Sequence, residues 1–176
     1  MSEARTEIVE YLGRRHQAML TLLAELVNID SGSYNKRGVD AVEDRLRAWL
    51  ENAGIACEMF PHERFGGCMA ARLPGQSGGN QPIVLLGHCD TVFPEGTAAS
   101  RPFRIDGDRA SGPGVADMKA GLVMNTFVLE ALSRFGAPGP ITALYTADEE
   151  IASPSSRKVI ATFCWKVPPK TLVQAK

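Results

Sequence analysis

Residues 82–94 read PIVLLGHCDTVFP, and this stretch decides the fold. Its first six residues form a short, continuous apolar run, which is typical of a strand buried at the centre of a sheet. A second apolar run, from Ile141 to Thr146, has the same character. His88 and Asp90 follow the first run directly. Since open α/β sheets place their sites at strand ends, the stretch also predicts where a site lies.

The elements around these two runs predict an α/β domain with a mixed sheet flanked by helices. Apolar residues recur at spacings of three and four in the predicted helices, and they alternate or run continuously in the predicted strands. The order is helix, helix, strands, then strand–helix–strand, which indicates helices covering a sheet. The predicted helices span residues 5–28, 39–52 and 118–135, the other strands span 55–59 and 68–73, and a hairpin spans 103–110.

Composition argues against several classes of function. The chain has 176 residues, of which 44% are apolar and 22% charged, and its net charge is -1. Nucleic acid and anionic membrane both need a concentrated basic surface, so neither is expected as a partner. No apolar run reaches the roughly 18–20 residues that span a bilayer. Residues 1–10 lack the apolar core of a secretory signal, and the expected location is the cytoplasm.

The four cysteines predict neither a disulfide framework nor a metal site. They form no CxxC pair, and in a reducing compartment they are expected as small buried residues. Cys89 lies between His88 and Asp90, but neighbouring residues on a strand point to opposite faces. We therefore expect Cys89 to face away from both.

Three groups of acidic or imidazole side chains stand at predicted strand ends or helix starts. His88 and Asp90 are two residues apart, so Asp90 can orient the histidine as a metal ligand. Alone, this pair also fits a surface histidine beside an aspartate. Asp117 follows a glycine-rich turn, where it also fits an N-cap carboxylate, and Lys119 is expected in solvent.

The third group is Asp148-Glu149-Glu150. Three consecutive carboxylates repel one another unless a cation or a proton relieves the charge, although a solvated acidic loop is the alternative. Taken together, the three groups bring one imidazole and several carboxylates to one edge of the sheet. That donor set suits zinc.

These stretches resemble the signatures of the M20 family of zinc-dependent metallopeptidases, and within it the glutamate carboxypeptidases. The similarity covers roughly residues 8–160 and implies the catalytic-domain fold of that family. The matching stretches are GHCDTVFP at 87–94, RPF at 101–103, DGD at 106–108, GPGVADMKAG at 112–121 and DEE at 148–150, in the order of the family.

The resemblance implies a role for each matching residue. His88 would ligate one zinc ion, Glu150 would ligate a second, and Asp117 would bridge the two. Asp90 would orient His88, and Glu149 would be the general base for the attacking water. The implied activity is hydrolysis of a peptide or amide bond next to a C-terminal amino acid such as glutamate, in a small peptide or N-acyl amino acid. A cis peptide after Asp117 is also implied.

The sequence departs from the family after Glu150, because no acidic residue follows it. The family has a further carboxylate, a distant histidine ligand, and a lid domain that also dimerises. We therefore expect a truncated chain, with residues 1–160 as a partial catalytic domain, residues 161–176 as an atypical tail, and the lid and dimerisation domain absent. His16 and His62 are expected at the surface.

Two functions from different classes follow from this departure. The first is a metallohydrolase, and the second is a truncated, catalytically inactive remnant with an incomplete metal site. Two zinc ions occupy the intact family, whereas at most one is expected here. A phosphate or nucleotide site at Gly112-Pro113-Gly114 is disfavoured, since the chain lacks a P-loop lysine and a GxGxxG after a strand.

Overall fold

A computed structural model describes residues 3–75, 81–164 and 172–174. None of the helices it describes has the length and apolar character needed to cross a membrane. The elements are α1 Glu3–Arg14, α2 His16–Val27, α3 Lys36–Asn52, β1 Ala56–Phe60, β2 Cys68–Leu73, β3 Ile83–His88, α4 Thr97–Ser100, β4 Arg104–Asp106, β5 Arg109–Ser111, α5 Ala120–Phe135, β6 Ile141–Thr146, α6 Arg157–Cys164 and β7 Leu172–Gln174.

A five-stranded sheet has the order β1-β2-β6-β3-β7. The pairs β1–β2 and β2–β6 are antiparallel, whereas β6–β3 and β3–β7 are parallel, so the sheet is mixed as predicted. The two apolar runs of the sequence form β3 and β6, which pair in register from Ile83 opposite Ile141 to His88 opposite Thr146. Their carboxyl ends therefore lie side by side at one edge.

Helices cover both faces of the sheet, which confirms the predicted α/β architecture. On one face, α2, α3 and α5 enclose the main hydrophobic core, which includes Leu26, Leu46 and Phe127. On the other face, α6 packs Val159 and Phe163 of its apolar side against strand residues, among them Val84 and Leu144. The predicted hairpin is also present, as β4 paired with β5.

The first predicted helix is wrong in one respect, because it is two helices that meet at Arg15. Arg15 has φ -92° and ψ 0°, outside regular helix geometry. Its guanidinium lies 5.7 Å from the ring centroid of Trp49 and 3.1 Å from Glu130. These tertiary contacts hold the bend, and apolar periodicity along α1 and α2 does not reveal them.

The start of α3 lies three residues before the predicted one. The side chain of Asn35 accepts a hydrogen bond from Gly38 N at 3.0 Å, which caps the helix at this point. The charged first turn, beginning at Lys36, gives no apolar signal, so the sequence pattern placed the start too late.

The predicted division at residue 160 falls inside an element of the structure. Helix α6 continues through Cys164, and the backbone of Leu172–Gln174 pairs with β3. The remaining residues of the predicted tail, 165–171 and 175–176, lie outside the described part of the chain. The division into a partial catalytic domain and a tail stays a prediction.

Glu43, on α3, is a buried carboxyl whose ionisation is expected to destabilise the fold. It is 1% exposed, and its Oε1 has no hydrogen-bond partner among the described residues. Burial, together with the charges of Asp40 and Asp44, raises the pKa of Glu43 to about 8. In the unfolded chain Glu43 has its ordinary pKa of 4.5, so it releases its proton at a lower pH than in the folded chain. The free energy of unfolding therefore falls as the pH rises from 4.5 to about 8.

We expect Glu43→Gln to remove this loss of stability. In the unmodified chain the group contributes a loss of roughly 3 kcal/mol between pH 5 and pH 7.5, and the variant should lack it. Urea unfolding at the two pH values measures the difference. Glu51→Gln, at an exposed position of the same helix, is the control and should behave like the unmodified chain. Equal pH dependence in the Glu43 and Glu51 variants would contradict the prediction.

Candidate metal centre

Three chain segments meet at the carboxyl edge of β3 and β6. Residues 88–91 continue from β3, and residues 147–151 continue from β6. The third segment, Val115–Lys119, is a wide turn that leads into α5 and contacts β3. The convergence of strand ends that the sequence predicts is therefore present.

His88, Asp117 and Glu150 lie together at this edge. One donor atom from each lies within 4.8 Å of the other two. The Nε2 atom of His88 is 3.2 Å from Oδ1 of Asp117. The histidine is buried while the Asp117 side chain is 76% exposed, so the cluster opens to solvent on one side. One imidazole and two carboxylates form a donor set that fits a divalent metal such as zinc.

Asp90 lies behind His88 and is completely buried. Its backbone carbonyl is 3.0 Å and its Oδ1 is 3.2 Å from Nδ1 of His88, while the other ring nitrogen faces Asp117. The same carboxylate accepts hydrogen bonds from the backbone N–H groups of Glu149 at 3.1 Å and Glu150 at 3.2 Å. One side chain therefore orients both the imidazole and the backbone of the two glutamates.

The imidazole of His88 and the carboxylate of Asp90 each favour the charged form of the other. Burial lowers the pKa of His88, but the hydrogen bond to Asp90 and the Asp90 charge outweigh it and raise the pKa to about 9. For Asp90, burial acts in the other direction and raises the pKa. Hydrogen bonds from His88 and Ser33 outweigh burial, and the pKa of Asp90 lies below its ordinary value. Asp90 is thus a stable anion beside the imidazole.

Glu149 and Glu150 occupy different positions although they are adjacent. Glu150 belongs to the cluster of three donors, and burial together with the charge of Asp117 raises its pKa. The Oε2 of Glu149 is 3.9 Å from Nε2 of His88, and its side chain is 46% exposed. Glu149 therefore stands beside the cluster, with access to solvent.

Asp148 lies outside the donor cluster, and hydrogen-bond donors surround its carboxylate. Asp148 is fully buried and accepts hydrogen bonds from the backbone N–H groups of Ser155 at 2.6 Å and Ser156 at 3.2 Å. The Ser156 hydroxyl also donates to it. Asp148 holds the loop before α6, and these donors satisfy its buried carboxyl group.

Two predictions for the turn before α5 are corrected. Asp117 does not cap the helix, because α5 begins at Ala120 and no side-chain cap is formed there. Lys119 is 1% exposed rather than solvated, and its Nζ donates to the carbonyl of Ile29 at 2.7 Å. Burial lowers its pKa to about 8. The Asp117–Met118 peptide is cis, as the family resemblance implied.

The remaining singled-out residues lie away from the cluster. Cys89 is part of the hydrophobic core, which fits the expectation that it faces away from His88 and Asp90. His16 and His62 are exposed, as expected.

Ser33 is a residue of the site that the sequence did not predict. Its hydroxyl donates to Asp90 at 2.6 Å, but a serine in a Ser-Gly-Ser loop gives no sequence signal for such a contact.

A cavity of about 650 Å³ opens beside Glu150. Apolar side chains form much of its wall, and two of them, Tyr34 and Val92, are 73% and 67% exposed. Lys36 and Glu95 also line it, so charge of both signs is within reach. Glu150 is the member of the donor cluster that lines the cavity, whose other apolar lining residues are Phe93, Pro94 and Ile151.

Several known proteins resemble the chain. It is 35% identical to carboxypeptidase G2 of Pseudomonas sp. (strain RS-16), over 81% of this chain and 35% of that protein. It is 30% identical to an acetylornithine deacetylase of Edwardsiella ictaluri, over 82% of this chain and 39% of that protein. A succinyl-diaminopimelate desuccinylase of Parvibaculum lavamentivorans is 32% identical, over 74% and 34%. The chain thus spans about a third of the length of these relatives.

Solved structures share the fold. The di-peptidase Dug1p of Saccharomyces cerevisiae superposes with a TM-score of 0.76 at 16% identity, over 92% of this chain and 38% of that one. Human carnosine dipeptidase 1 gives a TM-score of 0.76 at 14% identity, over 89% and 37%. The sequence model of peptidase family M20/M25/M40 matches residues 84–174. The chain belongs to peptidase family M20/M25/M40.

Proposed function

We propose that this chain contributes the metal-binding part of a zinc-dependent hydrolase that cleaves a peptide or amide bond next to a C-terminal amino acid, with glutamate as the candidate. The observation that supports this most directly is the cluster of His88, Asp117 and Glu150, with donor atoms within 4.8 Å of one another. The relatives include proteins named as a carboxypeptidase, deacetylases and dipeptidases, which fits a common amide-hydrolysing chemistry.

His88, Asp117 and Glu150 are the proposed zinc ligands. Bound zinc would lower the pKa of a water molecule and polarise the scissile carbonyl. Asp90 keeps the imidazole in the tautomer that presents Nε2, because its backbone carbonyl is 3.0 Å and its Oδ1 is 3.2 Å from Nδ1. The exposed carboxylate of Asp117 leaves the cluster open on the side from which a substrate would approach.

Glu149 is the proposed general base. Its carboxylate lies outside the group of three donors but within 3.9 Å of Nε2 of His88. A group in that position can take a proton from attacking water without being occupied as a ligand. Its backbone is held by Asp90, which limits how far the side chain can move from the cluster.

The proposed substrate is a small peptide or an N-acyl amino acid. The cavity beside Glu150 is large enough for one residue or acyl group, and its wall offers apolar contacts together with the charges of Lys36 and Glu95. Nucleic acid and membrane are not proposed as partners, since the net charge is -1. The cytoplasmic location stays a prediction.

A second candidate function is an inactive remnant that binds one metal ion at most. Among the residues that the structure describes, only three donor side chains gather in one place. Two ions that share a bridging carboxylate need more ligands than three, so the described residues suit one ion better than two.

Zinc analysis tests both candidates on the chain itself. After zinc loading we expect one weakly bound zinc ion per chain and no more, lost in His88→Ala but not in the control His62→Ala. Atomic emission and calorimetric titration measure the stoichiometry and affinity. Two tightly held ions would show that further ligands exist, and no zinc at all would contradict the proposed site. Hydrolysis of an N-acyl glutamate by the zinc-loaded chain would exclude the inactive remnant.

A further inference from the structure

Four hydrogen-bonding groups surround the buried Asp90 carboxylate, and one comes from a distant loop. The imidazole of His88 and the N–H of Glu149 meet Oδ1, while the N–H of Glu150 meets Oδ2. The fourth group is the hydroxyl of Ser33, which donates to Oδ2 at 2.6 Å, the shortest of the four contacts. A carboxylate has about four lone-pair positions, so these groups fill its accepting capacity.

The backbone around Ser33 fixes where its hydroxyl lies. Thr91 N donates to Ser31 O at 2.9 Å, and Gly32 forms a parallel bridge with Thr91. A Cβ added to Gly32 would lie 2.7 Å from Phe93 O, so the two backbones are in close contact. The Ser33 side chain is therefore directed towards Asp90 by neighbouring backbone contacts, and it is 5% exposed.

Rotation of the Asp90 carboxylate would disturb every group that it holds. The imidazole of His88 and the N–H of Glu149 depend on Oδ1, whereas the N–H of Glu150 depends on Oδ2. Without the Ser33 hydroxyl, Oδ2 would keep only the 3.2 Å contact with Glu150 N. A buried carboxylate oxygen with fewer donors is unfavourable, so the group would shift or admit water.

We propose that Ser33 is a positioning residue of the metal centre. Its hydroxyl fixes the Asp90 carboxylate in the orientation that holds His88 and the Glu149–Glu150 backbone at the same time. The effect on metal affinity rests on the proposed function, whereas the effect on the backbone does not. The residue acts through Asp90 and does not contact the donors itself.

Ser33→Ala tests this inference, and Ser31→Ala is its matched control. Ser31 is also buried and lies two residues away, but its hydroxyl has no partner among the described residues. We expect Ser33→Ala to speed amide hydrogen exchange of Glu149 and Glu150 about tenfold or more in the metal-free protein. The zinc Kd should rise about 10- to 100-fold. Ser31→Ala should change neither.

A second pair of variants separates the hydroxyl from the volume of the side chain. Thr and Val have nearly the same shape, so Ser33→Thr should keep the slow exchange at Glu149 and Glu150, and Ser33→Val should lose it. The core amides of Leu46 and Leu129 report global stability and should be unchanged in all variants.

Three results would overturn the inference: equal behaviour of Ser33→Ala and Ser31→Ala, equal behaviour of the Thr and Val variants, or faster exchange that extends to the core amides. If the unmodified chain binds no zinc, the proposed function fails, and amide exchange still decides the role of Ser33.

Discussion

Replacing Glu149 with glutamine should lower kcat about 10²- to 10⁴-fold while leaving the metal content unchanged, because the variant removes the proposed general base and none of the proposed ligands. The chain spans about a third of carboxypeptidase G2, so the test uses a chimera in which residues 1–160 replace the matching part of that relative. Turnover of an N-acyl glutamate gives kcat, and atomic emission gives the zinc content. Glu63→Gln, at an exposed position, is the control.

Glu150→Gln in the same chimera should show the opposite pattern. Its carboxylate belongs to the donor cluster, so metal occupancy should fall first and activity should fall as a consequence. Added zinc should restore part of the activity of the Glu150 variant and none of that of the Glu149 variant. If instead the Glu149 variant lost zinc and the Glu150 variant kept it, the two proposed roles would have to be exchanged.

Asp148→Ala is expected to destabilise the fold by roughly 3 kcal/mol, since it leaves the buried N–H of Ser156 and the part-buried N–H of Ser155 without an acceptor and removes the partner of the Ser156 hydroxyl. For a chain of this size the loss corresponds to a fall in Tm of very roughly 10 °C. Thermal unfolding followed by circular dichroism measures it.

Two further variants serve as an intermediate case and a control for Asp148→Ala. Asp148→Asn keeps one accepting oxygen and should lose about half as much stability. Asp108→Ala removes an exposed carboxylate from the β4–β5 hairpin and should stay within about 0.5 kcal/mol of the unmodified chain. An effect of Asp148→Ala as small as that of Asp108→Ala would mean that the buried hydrogen bonds do not stabilise the loop.

Apolar patterning predicted most of the fold because the sheet is buried. The runs at 82–87 and 141–146 became neighbouring parallel strands, and the alternation at 55–59 became an edge strand. Patterning failed where tertiary contacts decide the backbone. Arg15 bends the first helix through its contacts with Trp49 and Glu130, and both partners are far away in sequence.

The site was predictable where donor spacing follows strand geometry. His88 and Asp90 lie two residues apart on an extended segment, and the structure places them in contact. Asp148, Lys119 and Ser33 were not predictable in this way, because their partners depend on how loops fold back. A buried lysine and a buried aspartate look the same in sequence as solvated ones, and only their partners in space distinguish them.

The contacts of Asp90 have a consequence for folding kinetics. Ser33 is 57 residues and Glu149 is 59 residues from Asp90 along the chain, whereas His88 is two residues away. The donor array therefore requires long-range closure of the chain. Contacts of such sequence separation are slow to form, because loop closure costs entropy before the contacts stabilise the chain, so we expect the array to form after the local helices and hairpins. A partly folded chain would therefore lack the array, and zinc retention would report completed folding. A metal that binds only the native state adds about 2.7 kcal/mol of stability at a concentration one hundred times its Kd.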